Sequence, residues 1–374
     1  MLNVKDNRLY LIDICRGIAA YCIVIFHYRI FYDPNISVTS FIKNQQPFNN
    51  ILLPAYEFGW IAVQFFFTIS GFIFYCLYFK KINNSKISFT KFIILRFSRL
   101  YPLHFLTLNL VLILYVAFIL LDLKLFSFSE INIKHYFLNI LLISSWGFED
   151  NASFNNPSWS ISIEILLYLL FFFIAKSKIK IFYLTTIMIF LGILIFYFNK
   201  LIGYGIFCFF IGGLTQTITN KINDYKIKKI NISLFFLIVT ACIIFVINKY
   251  EITGILFKIL MLVIFFPSLI IFLFYIQKFN EKIGKKISII GDISYSVYLI
   301  HFPIQIFIFG VLQFYNLKVD FNYEIYFLIY IILITKISLI SYFYFETPIK
   351  KILRKKYKTI YFFLKKNKII NIKK

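Results

Sequence analysis

Residues 11–31 read LIDICRGIAAYCIVIFHYRIF, a run long and apolar enough to cross a bilayer, yet it carries Asp13, Arg16 and His27. About 20 consecutive apolar residues span the hydrocarbon core, where only helices and closed barrels satisfy the backbone. An ionisable group inside such a span costs about 3 kcal/mol on insertion scales, so it marks a pathway or a reaction centre. Arg16 and His27 stand about three turns apart on one helix face, separated by about 16 Å along the axis. That face offers a cation near one membrane surface and an imidazole near the other.

Runs of this length recur along the chain. The 374 residues are 60% hydrophobic with a mean hydropathy of +0.81, against about 45–50% apolar in a soluble protein. The fold expected is all-α: a polytopic membrane protein of about ten transmembrane helices. The spans fall near 9–31, 58–79, 101–121, 158–175, 181–198, 201–219, 232–247, 254–276, 287–310 and 323–345. They form a single transmembrane domain over 1–349, followed by a basic tail over 350–374. Residues 32–57, with Pro34, Pro47 and Pro54, read as an outer loop. Residues 135–146 are apolar but too short to cross, so they lie in the interface or re-enter.

The net charge of +24, from 40 Lys and Arg against 16 Asp and Glu, invites a nucleic-acid reading. Position argues against it. The basic residues gather at both ends and in loops on one side, among them Lys80, Lys81, Lys176, Lys178, Lys180 and the loop 221–229. That asymmetry puts both termini in the cytoplasm and the tail on anionic lipid. The richness in Ile, Lys, Asn and Phe fits an AT-rich bacterial genome, so the expected place is a bacterial cytoplasmic membrane. All five cysteines fall in the spans without a CxxC pair, which makes them apolar packing residues. The four histidines show neither HxxxH nor HExxH spacing, so no metal site is expected.

Five blocks carry candidate chemistry. The first is Asp13, Arg16 and His27. In the second, Phe66-Phe67-Thr68-Ile69-Ser70-Gly71, small residues break an aromatic run and let another helix or a ligand approach. In the third, Arg96 and Arg99 share a face before Tyr101-Pro102, and arginine pairs bidentately with phosphate. In the fourth, Ser160, Glu164 and Tyr168 share one face, and the buried carboxyl of Glu164 needs a partner such as Arg16 or His27. The fifth runs from Gly291-Asp292 through Ser294, Tyr295 and Tyr298 to His301, with Glu346-Thr347-Pro348 following the last span.

In this order the blocks resemble the acyltransferase-3 family of integral membrane O-acyltransferases, over about residues 9–350. The resemblance implies transfer of an acyl group, commonly acetyl, from cytoplasmic acyl-CoA to a hydroxyl of an extracytoplasmic or lipid-linked glycan. It implies functional roles for Arg16, His27, Arg96 and Arg99, with Ser70 and Glu164 in support. Arg96, Arg99 and Ser70 would hold the donor; His27, Arg16 and Glu164 would serve the chemistry. His104 departs from the family pattern, where an aromatic residue is usual, and receives no role. The appended hydrolase-like domain of some relatives is not expected here, which makes a stand-alone enzyme. The expected partners are acyl-CoA, the glycan or lipid-linked sugar and membrane lipids, with no nucleic acid. The rival reading is a transporter or flippase of lipid-linked sugars, in which the intramembrane charges would gate or couple.

Overall fold

The computed structural model describes residues 8–32, 45–124, 131–149, 153–177, 179–223 and 229–366, with the backbone alone for 360–366. Pro34, Lys178, residues 224–228 and the tail beyond 366 lie outside the described residues. The described chain is helical. Its helices are α1 Tyr10–Tyr28, α2 Asn49–Phe58, α3 Ala62–Phe74, α4 Lys80–Asn83, α5 Phe89–Leu120, α6 Ile133–Ile140, α7 Trp159–Lys176 and α8 Ile181–Phe196. There follow α9 Lys200–Asn223, α10 Lys229–Lys249, α11 Gly254–Ile259, α12 Phe266–Phe279, α13 Ile289–Asp292, α14 Ser294–Phe314, α15 Glu324–Ile340 and α16 Thr347–Lys366.

Among the described residues, nine helical stretches are long and apolar enough to cross a membrane, and the 16-residue α8 is a shorter apolar helix beside them. The protein is a multi-pass helical membrane protein. Three boundaries differ from the sequence reading. The second span begins at Asn49, because Pro54 sits inside α2, where a proline removes only one backbone bond. The 32-residue α5 begins at Phe89, capped by Ser88, so Arg96 and Arg99 lie within it and not at its foot. The last stretch runs unbroken over Glu324–Thr359, which places residue 350 inside α16.

Close packing at small residues fixes the bundle, since between helices in lipid van der Waals contact replaces the hydrophobic drive. Where α3 crosses α9, a Cβ on Gly71 would stand 1.8 Å from the Phe209 carbonyl oxygen, and one on Gly212 would stand 2.0 Å from that of Thr68. Where α1 meets α13, a Cβ on Gly291 would stand 2.3 Å from the Asp13 carbonyl oxygen. This second contact lays the start of α14 against Arg16. Val24, Phe72, Phe171, Phe209, Ile270 and Leu299 fill the core between these helices. Phe235, Ile238 and Phe245 of α10 and Phe190 and Leu194 of α8 point outward, as a lipid-facing surface requires.

The short segment around α6 folds back along α5. The Tyr136 hydroxyl donates to Asn109 Oδ1 at 2.9 Å, and further down His104 Nε2 donates to the Asn139 carbonyl at 2.8 Å. His104 stands about 22 Å along α5 from Phe89, near its middle. The segment therefore reaches the depth of mid-α5, and His104 holds it there.

Candidate active site

Arg96 and Arg99 project from one face of α5 into the bundle. The Arg96 guanidinium lies over the rings of Phe74 (5.2 Å) and Tyr78 (4.8 Å). Its Nη2 donates to the Tyr78 hydroxyl at 2.5 Å. Tyr78 belongs to a π-helical turn, Tyr75–Phe79, the kind of widened turn that recurs at functional sites. Arg96 is 8% exposed and its Nε is buried without a partner. Among the described residues neither Arg96 nor Arg99 forms an ion pair. Arg96 is buried and Arg99 half-buried, and with no direct ion pair their guanidinium donors can meet an anion.

Arg16 is held in place by three contacts. Its Nε donates to Ser294 Oγ at 3.1 Å, its Nη2 to the Gly291 carbonyl at 3.1 Å, and it pairs with Asp13 at 3.2 Å. Asp13 also pairs with Arg8 at 2.7 Å, and Arg8 reaches Asp292 at 2.6 Å. Partial burial opposes the charge on Arg8, but the hydrogen bonds and charges of Asp13 and Asp292 outweigh it and raise its pKa. The network ties the start of α1 to α13.

Glu164 on α7 accepts from the Tyr168 hydroxyl one turn on and from Ser70 Oγ of α3 at 3.3 Å. The sequence reading offered Arg16 or His27 as its partner. Among the described residues it pairs with neither, because hydroxyls of α3 and α7 satisfy the carboxylate. Arg16, Ser70, Arg96, Arg99 and Glu164 nonetheless line one cavity of about 90 Å³, closed on its deep side by Phe66, Ser160 and Tyr298. It shares Arg16, Arg96, Arg99 and Tyr295 with a wider mouth of about 310 Å³. Glu346, Lys350 and Arg354 complete that mouth.

His27 lines neither space. At the far end of α1 its Nδ1 lies 2.8 Å from His301 Nε2 of α14, with the two rings stacked at 5.1 Å and 22°. The Tyr298 ring lies 6.2 Å from that of His301. Tyr298 also hydrogen-bonds Ser160 and the Pro157 carbonyl, both at 2.7 Å. Tyr298 thus borders the arginine cavity and neighbours the histidine pair.

The family model for an acyltransferase domain matches residues 9–343. The chain belongs to the acyltransferase-3 family. Acyltransferase MdmB of Streptomyces mycarofaciens is 32% identical over 145 residues, 37% of this chain and 33% of that protein. The chain thus spans about a third of the length of the curated relative it matches. No solved structure matches it.

In this acyltransferase-3 protein five of the six residues singled out from sequence meet in one cavity, and His27 stands apart. Sequence reasoning gave no role to Arg8, Tyr78, Lys350 or Arg354. A signal for the last two was present, because Glu346, Lys350 and Arg354 recur at helical spacing. They read as tail because span ten was ended at residue 345. His301 belongs to the same sequence block as Ser294 and Tyr298, but its contact with His27 joins helices that sequence cannot pair.

Proposed function

We propose that the protein is a membrane-bound O-acyltransferase that moves an acyl group, commonly acetyl, from acyl-CoA to a hydroxyl of a glycan or lipid-linked sugar. The carrying observation is the arginine pair: among the described residues Arg96 and Arg99 form no direct ion pair in a cavity that also holds Glu164, and its mouth adds Arg8, Lys350 and Arg354 beside Asp13, Asp292 and Glu346. Coenzyme A bears several phosphate charges, and arginine forks match them. The mouth faces the cytoplasm under the positive-inside rule. The narrow deep cavity takes the extended arm of the donor, with Arg16 held by Ser294 and Asp13 beside it.

The acceptor comes from the other end. A cavity of about 320 Å³ is lined by Asn139, Asn156, Asn199, Ser153, Glu149 and Trp159, among others, and among the described residues by no basic side chain. Amides, hydroxyls, one indole and one carboxylate suit a polyhydroxyl ligand without negative charge. In the reaction the acceptor O–H gives its proton to His27 as the oxygen attacks the thioester carbonyl carbon. The tetrahedral intermediate collapses, the C–S bond breaks, and the thiolate takes the proton back from the imidazolium to leave as free thiol. Should the acyl group rest on His27 first, the same bonds form and break in two steps. Arg16 stabilises negative charge on the donor, and Glu164, fixed by Tyr168 and Ser70, balances the arginines.

The test is transfer of radiolabelled acetyl from acetyl-CoA by the purified protein in lipid nanodiscs to membrane glycan extracted from its host. Wild type labels the glycan, whereas His27→Ala binds acetyl-CoA and labels nothing. Undiminished labelling by His27→Ala, or no measurable acetyl-CoA binding by wild type, overturns the proposal.

A further inference from the structure

We infer that His301 is the positioning residue that fixes the tautomer of His27, so that His27 presents a bare Nε2 to the acceptor hydroxyl. This rests on the reading of His27 as the group that handles that proton. The argument follows from which atoms can donate. His301 Nδ1 lies 3.2 Å from the Val297 carbonyl oxygen, one turn back on α14. A carbonyl oxygen only accepts, so Nδ1 of His301 carries the hydrogen. In a neutral imidazole the other nitrogen is then an acceptor. His301 Nε2 lies 2.8 Å from His27 Nδ1, so His27 Nδ1 must be the donor. By the same rule His27 Nε2 holds a lone pair and no proton. The chain runs from backbone carbonyl through two imidazoles to one free base nitrogen.

Burial keeps the chain in this form. His301 is fully buried, while His27 is partly exposed. The Tyr298 ring lies 6.2 Å from that of His301, and Gln305 of the same helix donates to the His27 carbonyl at 2.9 Å. The backbone of α1 is thereby pinned beside the ring it presents. Two neutral imidazoles suit an apolar span, since an ionised carboxylate behind His27 would itself need a counter-ion there. When His27 takes a proton at Nε2, His301 Nε2 still accepts from Nδ1 and stabilises the cation without receiving the proton. The orienting group in the familiar serine-hydrolase arrangement does the same work with a carboxylate.

Four histidines make the test direct. Full-length protein in nanodiscs, labelled with ¹⁵N-histidine, reports each ring nitrogen by NMR, and His27→Gln assigns the His27 signals. The expected wild-type spectrum has His27 protonated at Nδ1 and unprotonated at Nε2. In His301→Phe, which keeps a flat ring but no acceptor, the Nε2 signal should shift toward the protonated form. The acetyl transfer rate, kcat, should fall about 100-fold, with KM for acetyl-CoA unchanged. His301→Gln, which restores a carbonyl acceptor near the same place, should recover part of kcat. A wild-type His27 protonated at Nε2, or a His301→Phe protein with full kcat, overturns the inference. If His27→Ala is inactive while His301→Phe is fully active, only the inference falls; if His27→Ala is active, the reading beneath it falls as well.

Discussion

Ser160 and Tyr298 join their hydroxyls at 2.7 Å, linking α7 to α14 where the arginine cavity ends. Tyr298 thus meets the cavity on one side and the His301 ring on the other. Tyr298→Phe removes the hydroxyl that bonds Ser160 and Pro157 and leaves the ring. Because the arginines lie at the other end of the cavity, acetyl-CoA affinity should stay within about twofold, while the loosened wall lowers kcat. Isothermal titration calorimetry and initial rates separate the two. A large loss of affinity with normal kcat would place the thioester elsewhere.

Arg99 supplies a prediction of two losses. It is half-buried and lines the same cavity as the Glu164 carboxylate, and removing one of two opposite charges from such a site leaves the other uncompensated and destabilises. Arg99→Met should therefore lower the melting temperature of the protein in nanodiscs. The same variant should bind acetyl-CoA about tenfold more weakly or worse. An unchanged melting temperature would show that Glu164 is balanced without Arg99.

Lys350 lines the mouth, beyond the arginines. Its contribution to donor binding should be electrostatic and screened. Lys350→Ala should weaken acetyl-CoA binding about threefold at low salt, with the difference vanishing near 0.5 M salt. Equal weakening at both salt concentrations would mean a direct, desolvated contact.

The contact of α3 with α9 leaves no room at Gly71. Gly71→Ala should lower stability by about 3 kcal/mol or more through overpacking against backbone, seen as loss of the folded peak in detergent size-exclusion chromatography. Since Ser70, next to it, meets Glu164, the surviving protein should also lose transfer activity. A fully stable Gly71→Ala would mean that α3 and α9 are further apart.

Much of this was legible in the sequence, above all because charge is costly in lipid. Arg16 and Glu164 stood out because nothing but function or pairing keeps them in apolar helices, and Arg96 and Arg99 because they share a face suited to phosphate. Their convergence on one cavity was not legible, because it depends on the glycine contacts that set α1 against α13 and α3 against α9. Glu164 shows the limit best. Its need for a partner followed from its position, but hydroxyls of Ser70 and Tyr168 filled that need. The His27–His301 contact was hidden for the same reason, since it joins α1 to α14 and no spacing along the chain pairs those helices. The extra length of α5 was missed because Arg96 and Arg99 looked like the edge of the membrane.

Arg16 and His27 sit on one continuous helix, with Arg16 clamped by Ser294 and Asp13 and His27 by His301. Their separation of about 16 Å is therefore set by covalent geometry and does not breathe with the bundle. A donor that touches one residue and reacts at the other is measured against a fixed gauge. For a coenzyme A donor bound at the arginines, the reach required of its arm is thus set by the backbone of α1 and is the same for every acyl group, because the acyl chain extends beyond the thioester carbon.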